Sequence, residues 1–267
     1  MLLASPTFRM ASDYKRIPSA EQKALFDRVV ARSKAVRGQP VPVVVFDLDG
    51  TVLDNRPRTI NILQELAADL RAEAATLPGD ADEGKKAAEI LAAARAEHLA
   101  YLMTDSLQKL GIVHPDLVAR ADAFWKTRFF SDAYLKHDVE VPGSIALAKA
   151  CYQAGATLVY FTGRDLPNMA LGSFQSLRDL GFPIGVIGTE LVCKPDFAIP
   201  DAQYKREEGA HLARLGTVVC ALENEPGNCN AFQELFPQAD VVFVDTQHFP
   251  DAPALDARVH IVGDLVR

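Results

Sequence analysis

Cysteine is scarce and unpatterned. The four present, Cys151, Cys193, Cys220 and Cys229, show no CxxC spacing, and three lie in or beside apolar runs. They read as reduced, mostly packed thiols of a cytoplasmic protein. Long apolar runs are missing as well, so no membrane span is expected. The opening "MLLASPTFRMASDYKR" has only a short apolar start, which predicts no secretory signal. Positive charge is outnumbered: 28 Lys and Arg against 35 Asp and Glu give a net charge of −7 and a pI near 5.4. That balance argues against a nucleic-acid or anionic-membrane partner and leaves room for a locally positive pocket. No internal repeat and no low-complexity tract stands out.

What is present is an ordinary globular composition, 49% hydrophobic and 24% charged over 267 residues, enough for one large domain or two smaller ones. Residues 19–37 predict an amphipathic helix with Ser19 as N-cap and Gly38 and Pro40 as its stop. A strand is expected at 42–46. The stretches 56–77 and 83–110, rich in Ala, Leu, Glu, Lys and Arg, predict two long helices separated by the turn "LPGDADEG", and a further helix at 115–129 carries the sole tryptophan, Trp125. After residue 139 the pattern changes. Short apolar runs at 156–161, 183–188, 217–222, 240–245 and 259–263 predict strands, with helices at 144–154, 167–180, 204–215 and 228–236. Continuous apolar strands alternating with helices predict a parallel sheet covered on both faces. The expected fold is α/β: a core of 1–54 and 139–267, interrupted by a helical insertion at 55–138.

Ligands of such sheets sit beyond the carboxyl ends of the strands. In "VVVFDLDGTVLD" (43–54) a buried strand ends in two acids, Asp47 and Asp49, where repulsion and desolvation both cost free energy. A divalent cation would compensate them. A carboxylate can attack phosphorus once a cation screens the repulsion, and a second can move the leaving-group proton. Gly50 permits the tight turn that brings the acids together. In "VYFTGRD" (159–165), Thr162 and Gly163 offer a hydroxyl and backbone N–H groups to a phosphate oxygen. Arg164 reads either as a substrate contact or as a surface salt-bridge residue. His248, after another strand end, reads as a surface histidine.

"DxDGT" after a hydrophobic strand resembles the first motif of the haloacid dehalogenase superfamily, and "FTG" its second. Membership implies a Rossmann-like core and Mg²⁺-dependent phosphoryl chemistry. It assigns Asp47 as nucleophile, Asp49 as general acid and base, and Thr162 as phosphate ligand, with Gly163 and Arg164 beside the substrate. It also calls for a lysine to neutralise the phosphate and Asp47. Lys205 and Lys194 are the candidates, and Lys205, in the first turn of the helix leading into "TVVCAL", is favoured.

The fourth motif departs from the family's usual Gly-Asp or Asp-Asp. "ENEP" is similar to the "DNSP" variant of the superfamily's carboxy-terminal-domain phosphatases. This implies Mg²⁺ held by the Asp47 side chain, the Asp49 carbonyl and Asn224, with Glu223 acting directly or through a water. Asp245 and Glu225 stand as fallback ligands.

The helical insertion resembles a type-1 cap, with hinges at 54–55 and 140–142 and closure excluding water. Since Asp49 is absent from dehalogenases and phosphonate hydrolases, the resemblance implies a phosphatase for a small phosphorylated metabolite. A phosphomutase and a weakly catalytic phosphometabolite-binding protein are the alternatives.

Overall fold

The computed structural model describes residues 14–74 and 81–267. Helix α1 (Ser19–Arg32) precedes the central strand β1 (Pro42–Phe46). The chain turns through Gly50 into the short strand β2 (Leu53–Asp54) and enters the helical insertion: α2 (Arg56–Ala74), α3 (Ala81–Ala92), α4 (Met103–Lys109) and α5 (Pro115–Phe129). It returns through β3 (Val139–Glu140), which pairs antiparallel with β2, Leu53 opposite Glu140 and Asp54 opposite Val139. The chain's entry to and exit from the insertion thus meet in one two-stranded neck, which takes in Asp54 and Glu140 of the expected hinges. The remainder alternates: α6 (Ser144–Ala154), β4 (Thr157–Asp165), α7 (Leu166–Leu180), β5 (Thr189–Lys194), α8 (Asp201–Gly209), β6 (Thr217–Glu223), α9 (Pro226–Leu235), β7 (Asp240–Val244) and β8 (His260–Val262).

Six strands form one parallel sheet in the order β5-β4-β1-β6-β7-β8. All five residues of β1 are buried, and they alternate between two cores. Val44 and Phe46 pack with Leu25 and Phe26 of α1, Leu147 of α6 and Leu177 of α7. Val43 and Val45 face the other way, towards Tyr204 of α8 and Phe232 of α9. A strand covered on both faces has no polar alternation, which is why it reads as an unbroken apolar run. The insertion has its own core, built from Leu63, Leu66, Leu91, Met103 and Leu107 among others.

Several boundaries differ from expectation. Helix α1 stops at Arg32, and its N-cap is Pro18, not Ser19. The expected strand 183–188 is a loop, and the strand lies at Thr189–Lys194. Gly185 and Gly188 both adopt positive φ, +71° and +82°, and Ile187 between them is 96% exposed. Two glycines in the left-handed region turn the chain out of the sheet, and apolar content does not override that. The helix expected over 83–110 breaks into α3, a short 3-10 turn (Ala96–His98) and α4. Part of the expected turn 77–84 lies outside the described residues, and 81–84 are already helical.

Candidate active site

Register brings the site together. Phe46 of β1 pairs with Tyr160 of β4 on one side and Leu222 of β6 on the other. The residues just beyond those partners, Asp47, Thr162 and Glu223, therefore share one edge of the sheet, and all three are buried.

Asp47 accepts from Lys205 Nζ at 2.7 Å through Oδ1 and from Thr51 Oγ1 at 3.0 Å through Oδ2. Lys205 also donates to the Phe161 carbonyl and, at 3.1 Å, to Glu223 Oε2. It sits in the second turn of α8, which starts at Asp201, rather than in the first turn as expected. Burial alone would push the ammonium towards neutrality, but Asp47 and Glu223 raise its pKa above the ordinary lysine value. Burial raises Asp47, with Lys205 opposing, and pushes Glu223 up to about 8. Two acids thus share one cation in a desolvated pocket, leaving the cluster one negative charge over balance when both are ionised.

Glu223 is fully engaged. Its Oε1 accepts from the backbone N–H groups of Asn224 and Glu225 at 3.0 and 3.1 Å, while Oε2 faces Lys205. The structure therefore places it as the lysine's second partner rather than as an open ligand. Asn224 is oriented by two bonds: Nδ2 donates to the Gln247 carbonyl at 2.7 Å, and Oδ1 accepts from Thr51 Oγ1 at 3.1 Å. Its carbonyl oxygen consequently points to the Asp47 side. Thr51 bridges Asp47 and Asn224, a role the sequence did not announce. Gly50 must be glycine: at φ +76° an added Cβ would lie 2.3 Å from Asn224 Nδ2.

The side-chain oxygens of Asp47 and Asn224, brought together by Thr51, are hard donors of the kind that would suit Mg²⁺. The unbalanced charge at Asp47 and Glu223 fits a cation as well. No group of three or more His, Cys, Asp or Glu among the described residues is arranged as a metal site. Both fallback ligands have protein partners of their own. Asp245 is tied to Arg16 at 2.7 Å. Glu225, pushed up to about 7 by burial, accepts from Phe249 N–H and the Tyr101 hydroxyl.

Asp49 departs most from expectation, which left its carboxylate free. It accepts from Arg164 Nε and Nη2 at 2.6 and 2.9 Å, from Arg58 Nη2 at 2.7 Å and from Asn55 Nδ2 at 3.2 Å. Burial pushes its pKa up, but Arg164 and Arg58 outweigh it and hold the carboxyl well below the usual range. Both arginines continue to Asp138, Arg58 through two bonds of 2.7 Å and Arg164 through one. Arg164 is thus a buried network residue, not a surface salt bridge. Arg58 comes from α2 and Asp138 from just before β3, so the cluster ties both ends of the insertion to the sheet edge. Charged residues 80 positions apart in sequence carried no signal of this pairing.

Thr162 Oγ1 accepts the Arg164 N–H at 3.1 Å. Gly163 packs against Asp201, whose Oδ2 would lie 2.4 Å from an added Cβ. Lys194 pairs with Asp201 at 2.6 Å. His248 lies outside the cleft, half-buried against Tyr14 and Phe243, with Nδ1 near the Thr246 carbonyl. Cys151, Cys220 and Cys229 are free and buried, and Cys193 is free and half-buried. Above Asp47 opens a cleft of about 860 Å³, walled below by Asp47, Thr162 and Lys205 and above by the helical insertion. Among the described residues no helix is long and apolar enough to cross a membrane.

The sequence profile of the haloacid dehalogenase-like hydrolases matches residues 41–204, from β1 into α8. No curated protein sequence matches this one. Among solved structures, a Clostridium difficile protein assigned as a phosphatase is 12% identical with a TM-score of 0.47, covering 83% of this chain and 94% of its own. A haloacid dehalogenase-like hydrolase from Streptococcus pneumoniae is 13% identical with a TM-score of 0.40, covering 75% of this chain and 83% of its own. A predicted phosphoglycolate phosphatase from Haemophilus somnus is 14% identical with a TM-score of 0.44, covering 84% and 94%. Likenesses at that distance say nothing about substrate. The profile match spans more than half of the chain and takes in Asp47, Asp49, Thr162 and Lys194, so the chain belongs to the haloacid dehalogenase-like hydrolase family.

Proposed function

We propose that the protein hydrolyses phosphomonoesters by passing the phosphoryl group through Asp47, with Mg²⁺ as cofactor. The observation that carries this reading is the Asp47 carboxylate, held by Lys205 and Thr51 at a strand end and facing the cleft. Lys205 and Thr51 fix the carboxylate's orientation, so little rotational freedom is lost when it attacks. An ammonium 2.7 Å from the nucleophile also offsets the charge of an incoming phosphate.

Thr162, beside Asp47 at the sheet edge, is the hydroxyl donor for a phosphoryl oxygen, and Gly163 N–H is the second. Mg²⁺ would be held by Asp47, Asn224 and the Asp49 carbonyl. When bound, it would screen the phosphate from the carboxylate. Glu223 holds Lys205 in place. Asp49 is the proton carrier for leaving alcohol and attacking water. For that it must loosen from an arginine, and Arg58 rides on α2, the first helix of the insertion. Movement of the insertion about the β2–β3 neck would therefore release Asp49 and open the cleft together, which gives the insertion the role of a cap.

Phosphate release from a panel of small phosphomonoesters, with Mg²⁺ and with EDTA, tests the reading. Mg²⁺-dependent release that disappears in Asp47→Asn is expected. Release that persists in Asp47→Asn overturns it.

A further inference from the structure

The roof of the cleft is aromatic. Trp125, Phe129 and Phe130 line it from α5 and its C-terminal end, Phe197 from the core, and Tyr101 and Phe249 from the facing side. Trp125 and Phe129 lie 4.4 Å apart, Phe129 and Phe130 5.0 Å, and Phe130 and Phe197 5.1 Å, forming a continuous ring chain from insertion to core. Tyr101 and Phe249 meet edge to face at 5.8 Å. Phe197 is 53% exposed, and Tyr101 and Phe249 are more than 40% exposed. Large rings left open to a cavity that ends at a nucleophile are unsatisfied apolar surface with a ligand's worth of space.

Several polar groups beside the rings are engaged within the protein. Thr59 Oγ1 accepts from Trp125 Nε1, Ser106 Oγ bonds the backbone at Ala100 and Leu102, and Asn55 is committed to Asp49. Against the aromatic roof itself a hydroxyl would lose water without gaining a partner, whereas a flat ring would cover apolar surface.

Resting on the phosphatase reading, we infer that the substrate is a phosphomonoester of an aromatic alcohol or of another planar, ring-bearing alcohol. Its ring sits against Trp125, Phe130 and Phe197 while its phosphate reaches Asp47. Pure leaving-group reactivity would give a spurious preference for phenyl esters, so the test compares alcohols of similar basicity. kcat/KM is measured for benzyl phosphate and ethyl phosphate with Mg²⁺, and benzyl phosphate is expected to exceed ethyl phosphate by about 10–100-fold, from ring burial and stacking. In Phe197→Ala, whose side chain is exposed enough for the fold to survive, that ratio falls severalfold.

Trp125 is the sole tryptophan, so its fluorescence reports the subsite directly. In Asp47→Asn, benzyl phosphate changes the signal saturably, and far more ethyl phosphate is needed to compete it away. Equal kcat/KM for the two esters, or a ratio untouched by Phe197→Ala, overturns the inference and leaves the phosphatase reading standing. Failure to release phosphate from either ester overturns the phosphatase reading instead. The Trp125 titration then decides the subsite: a saturable response sustains it and a flat one removes it.

Discussion

Replacing Lys205 with methionine removes the ammonium that touches Asp47 and Glu223 while keeping an apolar chain of similar length. The ammonium makes contacts of 2.7 Å to Asp47 and 3.1 Å to Glu223, and all three residues are buried. Removing one partner of a buried ion pair leaves an uncompensated charge and costs about 3–5 kcal/mol. Burial and the neighbouring Asp47 both raise Glu223, and Lys205 is what opposes them, so its loss falls on both acids. Without Lys205, the Asp47 pKa in the folded state climbs further above its unfolded value. A raised carboxyl binds more protons folded than unfolded, so its contribution to stability grows as pH falls through the folded pKa. Urea unfolding in EDTA should therefore show the full penalty at pH 7. At pH 5.5 the penalty should be smaller, by up to about 1.4 kcal/mol for each pH unit in which only the variant has taken up the extra proton. Adding Asp47→Asn to Lys205→Met should recover much of the loss. A penalty under about 1 kcal/mol, or the same penalty at both pH values, would refute the shared-cation description of the site.

Asp49→Asn should slow turnover of alkyl esters by about 10²–10⁴-fold and of aryl esters far less, because phenolate leaving groups need no proton; equal losses in steady-state assays would make Asp49 a mere anchor for Arg58 and Arg164. Asn224→Asp should lower the Mg²⁺ concentration for half-maximal rate by adding a full charge at the cation, and Asn224→Ala should raise it; Mg²⁺ titrations that overlay wild type would remove Asn224 from the ligand set. Asp240 anchors α1 through Arg28 and Arg32, each at 2.8 Å. Burial pushes its carboxyl up, but hydrogen bonds from His260, Arg28 and Arg32 hold it well below the usual range. Its contribution is therefore present above about pH 4 and lost as pH falls towards the folded value, and Asp240→Asn should flatten the acid limb of a thermal-melt series.

The sheet was legible because its central strands are buried on both faces. "VVVF" and "VVCAL" have no polar residue to mark an outer face, as a strand buried on both faces requires. "PIGVIG" misled for the reason that its glycines reveal: backbone freedom, not apolar content, decided the local path. Strand β5, at the sheet edge and mostly half-exposed, hid behind Thr189 and Glu190. The break between α3 and α4 was invisible in composition, because Ala and Leu favour a helix wherever tertiary contacts do not intervene. Here Leu99 is buried, and its carbonyl accepts from Gln247 and Lys109. At the site, Asp47 and Thr162 could be read from strand-end positions, and Lys205, on helix α8, only from the resemblance that calls for a lysine. The clamp on Asp49 could not, since it joins Arg58, Asp138 and Arg164 from the two ends of the insertion and from β4. Thr51 was read only as the last residue of "DxDGT"; its bridge from Asp47 to Asn224 joins positions 173 apart and has no local signal.

Passage of the phosphoryl group through Asp47 is tested most directly by acid quench during turnover with Mg²⁺, followed by peptide mapping by mass spectrometry. The expected result is a peptide containing Asp47 heavier by one phosphoryl group, absent from Asp47→Asn, which also releases no phosphate while keeping the wild-type unfolding midpoint. Steady phosphate release with that peptide unmodified at every quench time, or with Asp47→Asn still turning over, would contradict it.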